Sequence, residues 1–506
     1  MNPLRDKYLY ATLFCAWLAV MLAYQFRFPL NVDVGGPIDR PLLSWVHDPQ
    51  LDKDITYRWT TGRSELVLPE WGRDNPVEVS IRVTRWRPND KIADLTLYIN
   101  ELEFAEPNAV GQGWQEYTLP VTQAQFLSND EFRVTLETDT FIPKAEVPNS
   151  PDPRKLGIQL DTIRVLPMIQ ESGQWRAVNG LVFTPLKLPP SGFALEFVLS
   201  ALAIYLTLTW FKIPGVHAFV GLAIVSAGAA VALVWARPYL TLFGDTFVTV
   251  LLGGIVLAFV ARWTSVRFFK WGKIGASDLE VNGLALLFGL AFVSKLAFLL
   301  YPQTISFDLW YHVHRLQDVM RGVLFWSIPS GKNEFGGQPV PYLPSYYLFL
   351  APFAALKPDD EFYMRLVVQI SAVILDSVTI FFIYYWLKKY FNAGRAGLFA
   401  AWVYLVVPLA FIAISWGIYA NIFGQFLTLL LVTALLELFD RLPDARAILL
   451  VTFLFALTML AHTSVFASIA PMFAAWCLLL LVLGRMGRTR QWWWLIACIL
   501  MAAAVA

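Results

Sequence analysis

Residues 239–273 read YLTLFGDTFVTVLLGGIVLAFVARWTSVRFFKWGK. The stretch 239–261 is almost wholly apolar, and Arg262, Arg267, Lys270 and Lys273 follow it at once. A helix rises about 1.5 Å per residue, so roughly 20 apolar residues cross the hydrocarbon core of a bilayer. Basic side chains gather at the cytoplasmic ends of such helices. The stretch therefore predicts a membrane span whose C-terminal end lies in the cytoplasm.

Working outward, similar runs occupy 193–211 and 215–235 before it, and 280–301, 365–387, 396–414, 418–438, 447–461, 464–484 and 491–506 after it. An earlier run, Tyr8 to Tyr24, follows Arg5 and Lys7. No small-x-small cleavage site succeeds it, so it reads as an uncleaved anchor. The expectation is a polytopic α-helical membrane protein with about 11 spans. Basic residues follow every second span: Lys388, Lys389 and Arg395 after the sixth, Arg441 and Arg446 after the eighth, Arg485, Arg488 and Arg490 after the tenth. This places the N-terminus in the cytoplasm of a multi-pass protein of the cell or plasma membrane. Tyr342 to Leu356 is apolar but short, and Lys357, Asp359, Asp360 and Glu361 follow it. Counting it as a span would export Lys388 and Lys389, so it is expected to lie along the outer membrane face. The segment 302–364 then forms one long extracytoplasmic loop. The last run reaches Ala506 without a polar cap, so either that helix ends flush with the membrane or the natural chain continues.

Hydrophobic residues make up 57% of the chain and charged residues 15%, against about 45–50% and 25% in soluble domains. The net charge of +1 gives no reason to expect a nucleic-acid partner. Cys15, Cys477 and Cys498 all fall in apolar runs, which excludes a disulfide framework or a cysteine metal site outside the membrane. The composition divides the chain into an anchor (1–29), an extracytoplasmic β domain (30–190), accessory transmembrane helices (191–275) and a second membrane module (276–506).

Within 50–190 apolar and polar residues alternate, as in Val77-Glu78-Val79-Ser80-Ile81-Arg82-Val83, Leu95-Thr96-Leu97-Tyr98-Ile99-Asn100 and Glu131-Phe132-Arg133-Val134-Thr135-Leu136. Each strand so written buries one face, and short strands at this spacing predict an all-β sandwich or jelly roll. The spacing from Trp114 through Tyr117 to Leu119, with the closing run Leu156 to Asp161, resembles carbohydrate-binding-like jelly rolls. Trp59, Trp86 and Trp114 either form a platform for sugar rings or belong to the core.

The segment Ser306-Phe307-Asp308-Leu309-Trp310-Tyr311-His312-Val313-His314-Arg315 opens the long loop. Asp308, His312 and Arg315 are spaced by four and three, which puts them on one face of a helix. Leu316, Val319 and Met320 continue its apolar side, and Gly322 stops it. A carboxylate, an imidazole and a guanidinium together can move a proton or hold an anionic phosphate. Asp308, His312 and His314 are also a candidate metal trio. The plainer reading is an interfacial anchor, since charged and aromatic residues crowd membrane boundaries.

A span, then Asp308-x-x-Tyr311-His312-x-x-Arg315, then Pro344-Ser345-Tyr346-Tyr347-Leu348, then acidic residues and Arg365 opening the next span, resembles the GT-C superfamily of integral membrane glycosyltransferases. The protein mannosyltransferases and lipid A aminoarabinose transferases are members. The resemblance covers roughly 280–506. It implies a polyprenyl-phosphate-linked sugar donor, a glycan, lipid or protein acceptor, and inverting transfer of a hexose or pentose in the cell envelope. It implies Asp308 as the catalytic carboxylate and the Pro344–Leu356 segment as a juxtamembrane helix. Substrate contacts would come from His312, Arg315, Tyr311, Lys332, Glu334 and Tyr346, with Asn333 beside them. No resident cofactor is implied beyond a divalent cation as a candidate. Two features depart from the family pattern: four spans and a β domain precede the module, and no second acidic motif follows in a later outer loop.

Two polar groups inside the spans complete the candidates. Asp376 lies midway through the sixth span and either lines a substrate cavity or is a hydrogen-bonded packing residue. His462, at an outer turn, either lines the same cavity or caps a helix. Lys295 and Asp245 are expected to snorkel or pair near helix ends. Two other functions compete with sugar transfer: a transporter or flippase for lipid-linked glycans, and a non-catalytic assembly protein for envelope glycans.

Overall fold

The alternation in residues 77–83 predicts that Val77, Val79, Ile81 and Val83 share an inward face, and in the computed structural model all four are fully buried. The structure describes residues 6–88, 91–302, 304, 306–327, 340–482 and 489–505. The chain forms two compact units, Met1–Thr249 and Val250–Ala506.

The first unit begins with helix α1 (Lys7–Tyr24) and continues into a β-sheet domain. Its strands are β1 (Phe26–Arg27), β2 (Leu30–Asp33), β3 (Leu43–Val46), β4 (Gln50–Asp52), β5 (Ile55–Leu68), β6 (Val77–Thr84), β7 (Ala93–Ile99), β8 (Leu102–Val110), β9 (Gln115–Val121) and β10 (Phe132–Thr138). A single helical turn, α2 (Pro143–Glu146), precedes β11 (Gln159–Glu171), β12 (Gln174–Ala177) and β13 (Val182–Phe183). The main path runs β8-β7-β10-β5-β11-β6-β9, with antiparallel pairing throughout. The 14-residue β5 serves four neighbours: Arg58 and Trp59 pair with Leu160 and Gln159 of β11, Arg63 to Leu68 pair with β10, and β3 and β4 also pair with it. Inward residues such as Val32, Leu66, Leu97, Val134 and Ile163 meet in one core. The tryptophans divide. Trp59 is buried with Tyr57, Phe141 and Leu156, Trp114 packs at the edge of that cluster, and Trp86 stays exposed.

Helices α3 (Ser191–Trp210) and α4 (Gly215–Thr241) pack with α1 around Leu9, Tyr205, Ala218 and Leu222. Asp6 caps α1 by accepting from the Tyr8 amide at 3.0 Å, and it also accepts from the Tyr205 hydroxyl at 2.7 Å. Helix α5 (Gly244–Trp271) leads into the second unit.

The second unit holds α6 (Asp278–Leu300), α7 (Leu309–Met320), the short strands β14 (Trp326–Ser327) and β15 (Val340–Pro341), α8 (Ser345–Ala354), α9 (Glu361–Phe391), α10 (Gly394–Val406), α11 (Pro408–Ser415), α12 (Tyr419–Leu438), α13 (Ala445–Met459), α14 (Thr463–Val482) and α15 (Thr489–Val505). The long apolar helices mark an integral membrane protein. Among the described residues seven helices suffice for a crossing, or up to nine when each bent pair counts as one span. The expected count of about 11 treats several of these pieces differently. Pro408 has no amide hydrogen to donate and breaks one run into α10 and α11, bent by 45°. Helices α13 and α14 meet at 120°, and only Gln491–Ala504 of α15 is apolar, below spanning length. Helix α8 has 10 residues, too few to cross, in keeping with the short apolar run read at 342–356.

Candidate functional site

Helix α7 carries the sequence-predicted cluster, and its 12 residues sort by face. Leu309, His312, Val313, Arg315, Leu316 and Val319 are buried, and Asp308 stands exposed at the N-cap position. His312 and Arg315 thus share the inner face, while Asp308 sits at its rim.

Asp308 is placed by backbone rather than by its side chain. Its amide donates to the Trp416 carbonyl at 3.3 Å, and its carbonyl accepts from the His312 amide at 3.0 Å. The turn at Gly417 presses against it. Gly417 has φ +79°, and a Cβ there would lie 2.8 Å from Ser306 Oγ, 3.1 Å from Asp308 N and 3.3 Å from Asp308 Cβ. Only glycine fits such an approach with a positive φ. The Asp308 carboxylate makes no capping hydrogen bond. One side of it faces solvent, and burial of the other side pushes its pKa up.

His312 is fully enclosed. Its Nδ1 lies 2.7 Å from the Tyr347 hydroxyl, and its ring also bonds to the Gly417 backbone. Burial, against that backbone bond, holds its pKa down at about 3, so it is neutral. Among the described residues no group of three His, Cys, Asp or Glu side chains is arranged to hold an ion. Asp308, His312 and His314 are not so arranged, contrary to the expectation from their spacing; His312 instead ties the Gly417 turn to α7 and α8.

Arg315 is likewise committed. Its Nη1 donates to the Val323 carbonyl at 2.8 Å, and its Nη2 donates to Leu324 and, at 3.0 Å, to Tyr342. Three carbonyls hold the guanidinium as a strut between the end of α7 and the segment before α8. A phosphate would have to displace them. Tyr346 points into the bundle, where its hydroxyl lies 3.1 Å from both the Val368 carbonyl and Ser371 Oγ. Tyr311 stacks edge-on to Tyr342 at 5.2 Å, and Tyr342 meets the His462 ring at 5.6 Å. His462 also accepts from the Ser464 amide at 3.2 Å, the capping role at the start of α14. Its pKa is lowered by burial. Asp376 bonds to Lys295 and, at 2.7 Å, to the Tyr404 hydroxyl, all within the bundle and apart from this cluster. Lys332, Asn333 and Glu334 lie outside the described residues.

Three further residues join the site. Tyr419 Oη lies 2.9 Å from Ser306 Oγ and within electrostatic reach of both Asp308 and Arg365. Arg365 is half-buried, its Nε has no acceptor, and it makes no ion pair among the described residues. One helical turn further along α9, Gln369 is 1% exposed and neither end of its amide meets hydrogen-bond geometry, although it lies beside the Tyr419 hydroxyl. The sequence carries Arg365 only as the residue opening a span. The spacing of four to Gln369 is the signal that could have found the pair.

Among the described residues the site thus offers an uncommitted carboxylate and an uncommitted cation around one tyrosine, at the mouth of a helical bundle. That arrangement can accept a proton and hold an anion. No protein-family model matches the sequence, and no curated protein matches it. Among solved structures, a family 35 carbohydrate-binding module from Clostridium thermocellum is 8% identical with TM-score 0.19, covering 27% of this chain and 96% of the module. The acetyl xylan esterase Est2A from Butyrivibrio proteoclasticus is 13% identical with TM-score 0.18, covering 30% of this chain and 34% of the esterase.

Proposed function

We propose that the chain is an integral membrane glycosyltransferase, GT-C-like in its second unit, that moves a sugar from a polyprenyl-phosphate-linked donor to an acceptor at the extracytoplasmic face. The helices then make about eleven crossings, and the β-sheet domain is an exported jelly-roll-like sandwich. The observation that carries this reading is the Asp308 carboxylate, fixed on the Gly417 turn and without a partner among the described residues, with Arg365, which makes no ion pair among them, around the same tyrosine.

In the reaction, Asp308 takes the proton from an acceptor hydroxyl. The acceptor oxygen bonds to the anomeric carbon as the bond from that carbon to phosphate oxygen breaks. Polyprenyl phosphate leaves with the electron pair, and the configuration inverts. The raised pKa of Asp308 suits a proton acceptor. Arg365 stabilises charge on the leaving phosphate. Arg315 serves as a strut for the loop.

The test is transfer of labelled sugar from polyprenyl phosphate by membranes carrying the full chain. Asp308→Asn is expected to lower transfer by about 10²–10⁴-fold with normal insertion. Arg365→Gln is expected chiefly to weaken use of the donor. Transfer at the wild-type rate by Asp308→Asn would exclude the enzymatic reading. Loss of lipid-glycan translocation without any transfer activity would favour a flippase.

A further inference from the structure

The first unit buries two arginines side by side where α1 and α4 meet the sheet. Arg27 and Arg237 are 4% and 6% exposed. Arg237 Nη2 donates to the carbonyls of Ala23 at 3.0 Å and Phe26 at 2.9 Å, and its Nη1 reaches Trp71 only at 3.5 Å. Its Nε is buried and without an acceptor. Arg27 donates to Thr184 Oγ1 at 3.1 Å and to the carbonyls of Pro76 and Met168, both at 3.0 Å. Among the described residues neither forms an ion pair with a carboxylate. Burial, and then the charge of Arg237, lower the Arg27 pKa to about 10.

Two buried cations without a counter-ion are costly. The C-terminal end of α1, which Arg237 caps, supplies about half a negative charge. More than one positive charge is left over. Arg27 and Arg237 line one cavity, together with Phe28, Trp71, Val234 and Trp235. It encloses about 20 Å³, room for one water-sized group. The kink of α4 shapes its wall: Ala236 leaves helical geometry, and Pro238 cannot donate to the Val234 carbonyl.

What lies outside the cavity indicates the source of the anion. Trp235 is 57% exposed and packs against Phe28 with ring centroids 4.2 Å apart, continuing the apolar face of α4 that carries the exposed Ile224 and Val231. Exposed aromatic side chains at the end of a span mark the level of lipid headgroups. We infer that this cavity is a site for a phosphodiester lipid headgroup, one anionic oxygen of which enters between Arg27 and Arg237 while the phosphorus stays at the mouth beside Trp235. The site is independent of the Asp308 cluster and of the function proposed for it.

The experiment uses the full chain, purified in detergent and stripped of lipid. Phosphatidylglycerol, a diacylglycerol with the same acyl chains and inorganic phosphate are each added at equal concentration. Native mass spectrometry and thermal unfolding report binding. Phosphatidylglycerol is expected to be retained and to raise the melting temperature, and the other two to do neither. Val234→Phe, which narrows the cavity and leaves both arginines in place, is expected to weaken phosphatidylglycerol binding about tenfold or more. Equal effects of phosphatidylglycerol and diacylglycerol would overturn the inference, as would unchanged binding by Val234→Phe. Equal effects of inorganic phosphate would overturn the lipid as its source. The comparison of the three additives needs only the wild-type chain, so it stands if the variant fails to fold.

Discussion

Replacing Lys295 by methionine should unfold the second unit more readily than any surface change. Lys295 and Asp376 face each other with side chains 0% and 5% exposed. The carboxylate has a second partner in the Tyr404 hydroxyl at 2.7 Å. Methionine keeps the volume of the lysine stem but leaves a buried carboxylate with one neutral donor. Breaking a buried pair in this way costs about 3–5 kcal/mol. At roughly 2–4 °C per kcal/mol, the melting temperature should fall by on the order of 10 °C. The double variant Lys295→Met/Asp376→Leu removes both charges, and it should recover to within about 1 kcal/mol of wild type. Thermal unfolding of the purified chain in detergent measures all three proteins. A Lys295→Met protein as stable as wild type would refute the assignment of this pair to the fold. So would a double variant no better than the single one. Sugar transfer separates the two readings of Asp376. A stable double variant that still transfers leaves Asp376 a packing residue, whereas a stable one that has lost transfer returns it to the substrate path.

Gly417→Ala should lower stability by about 2 kcal/mol, from the positive φ and the contact with Ser306 Oγ, and should slow transfer by moving Asp308; a melting temperature and a rate both unchanged would rule out that turn as the support of the carboxylate. His312 gives a pH dependence. Its folded pKa is about 3 against an ordinary 6.5, so below pH 6.5 the unfolded chain binds the proton first. Stability from this group is complete above pH 6.5 and declines toward pH 3 by roughly 1.4 kcal/mol per pH unit. Between pH 7 and pH 5 the wild type should therefore lose more stability than His312→Gln, and parallel losses would show that His312 is not held neutral.

Much of the architecture could be read from the chain because one-dimensional patterns encode it directly. Period-two alternation gave the strands around Val79, Leu97 and Val134, and apolar length gave the helices. The site was less legible, since its partners come from four separated segments. Nothing local to Asp308 announces Gly417, whose role appears only when the turn before α12 is folded against the start of α7. Arg315 misled for a related reason. Its spacing from Asp308 correctly predicts a helix, but spacing says nothing about the three carbonyls that wait for it beyond Gly322. Asp376 and Lys295 are each legible as a polar residue within its own apolar run. Their pairing required knowing that α6 and α9 lie side by side.

Several unsatisfied polar groups gather at the site. Buried polar atoms in folded proteins are nearly always hydrogen-bonded, and each exception costs about 1–3 kcal/mol. Around α7 and α8 the rule holds for His312, for the Arg315 amino groups and for the hydroxyls of Tyr346 and Tyr347. Among the described residues it fails at the Gln369 amide and at Arg365 Nε, both on the face of α9 that approaches Tyr419, and on α7 at Arg315 Nε and His314 Nδ1. A fold that leaves these groups open within one cluster, next to an uncapped carboxylate, gives up stability locally. Such local cost is retained where a ligand offsets it. A ligand that does so here must accept from an amide and a guanidinium and donate to a carboxylate. A sugar hydroxyl beside a phosphate meets all three demands, and a purely apolar lipid chain meets none.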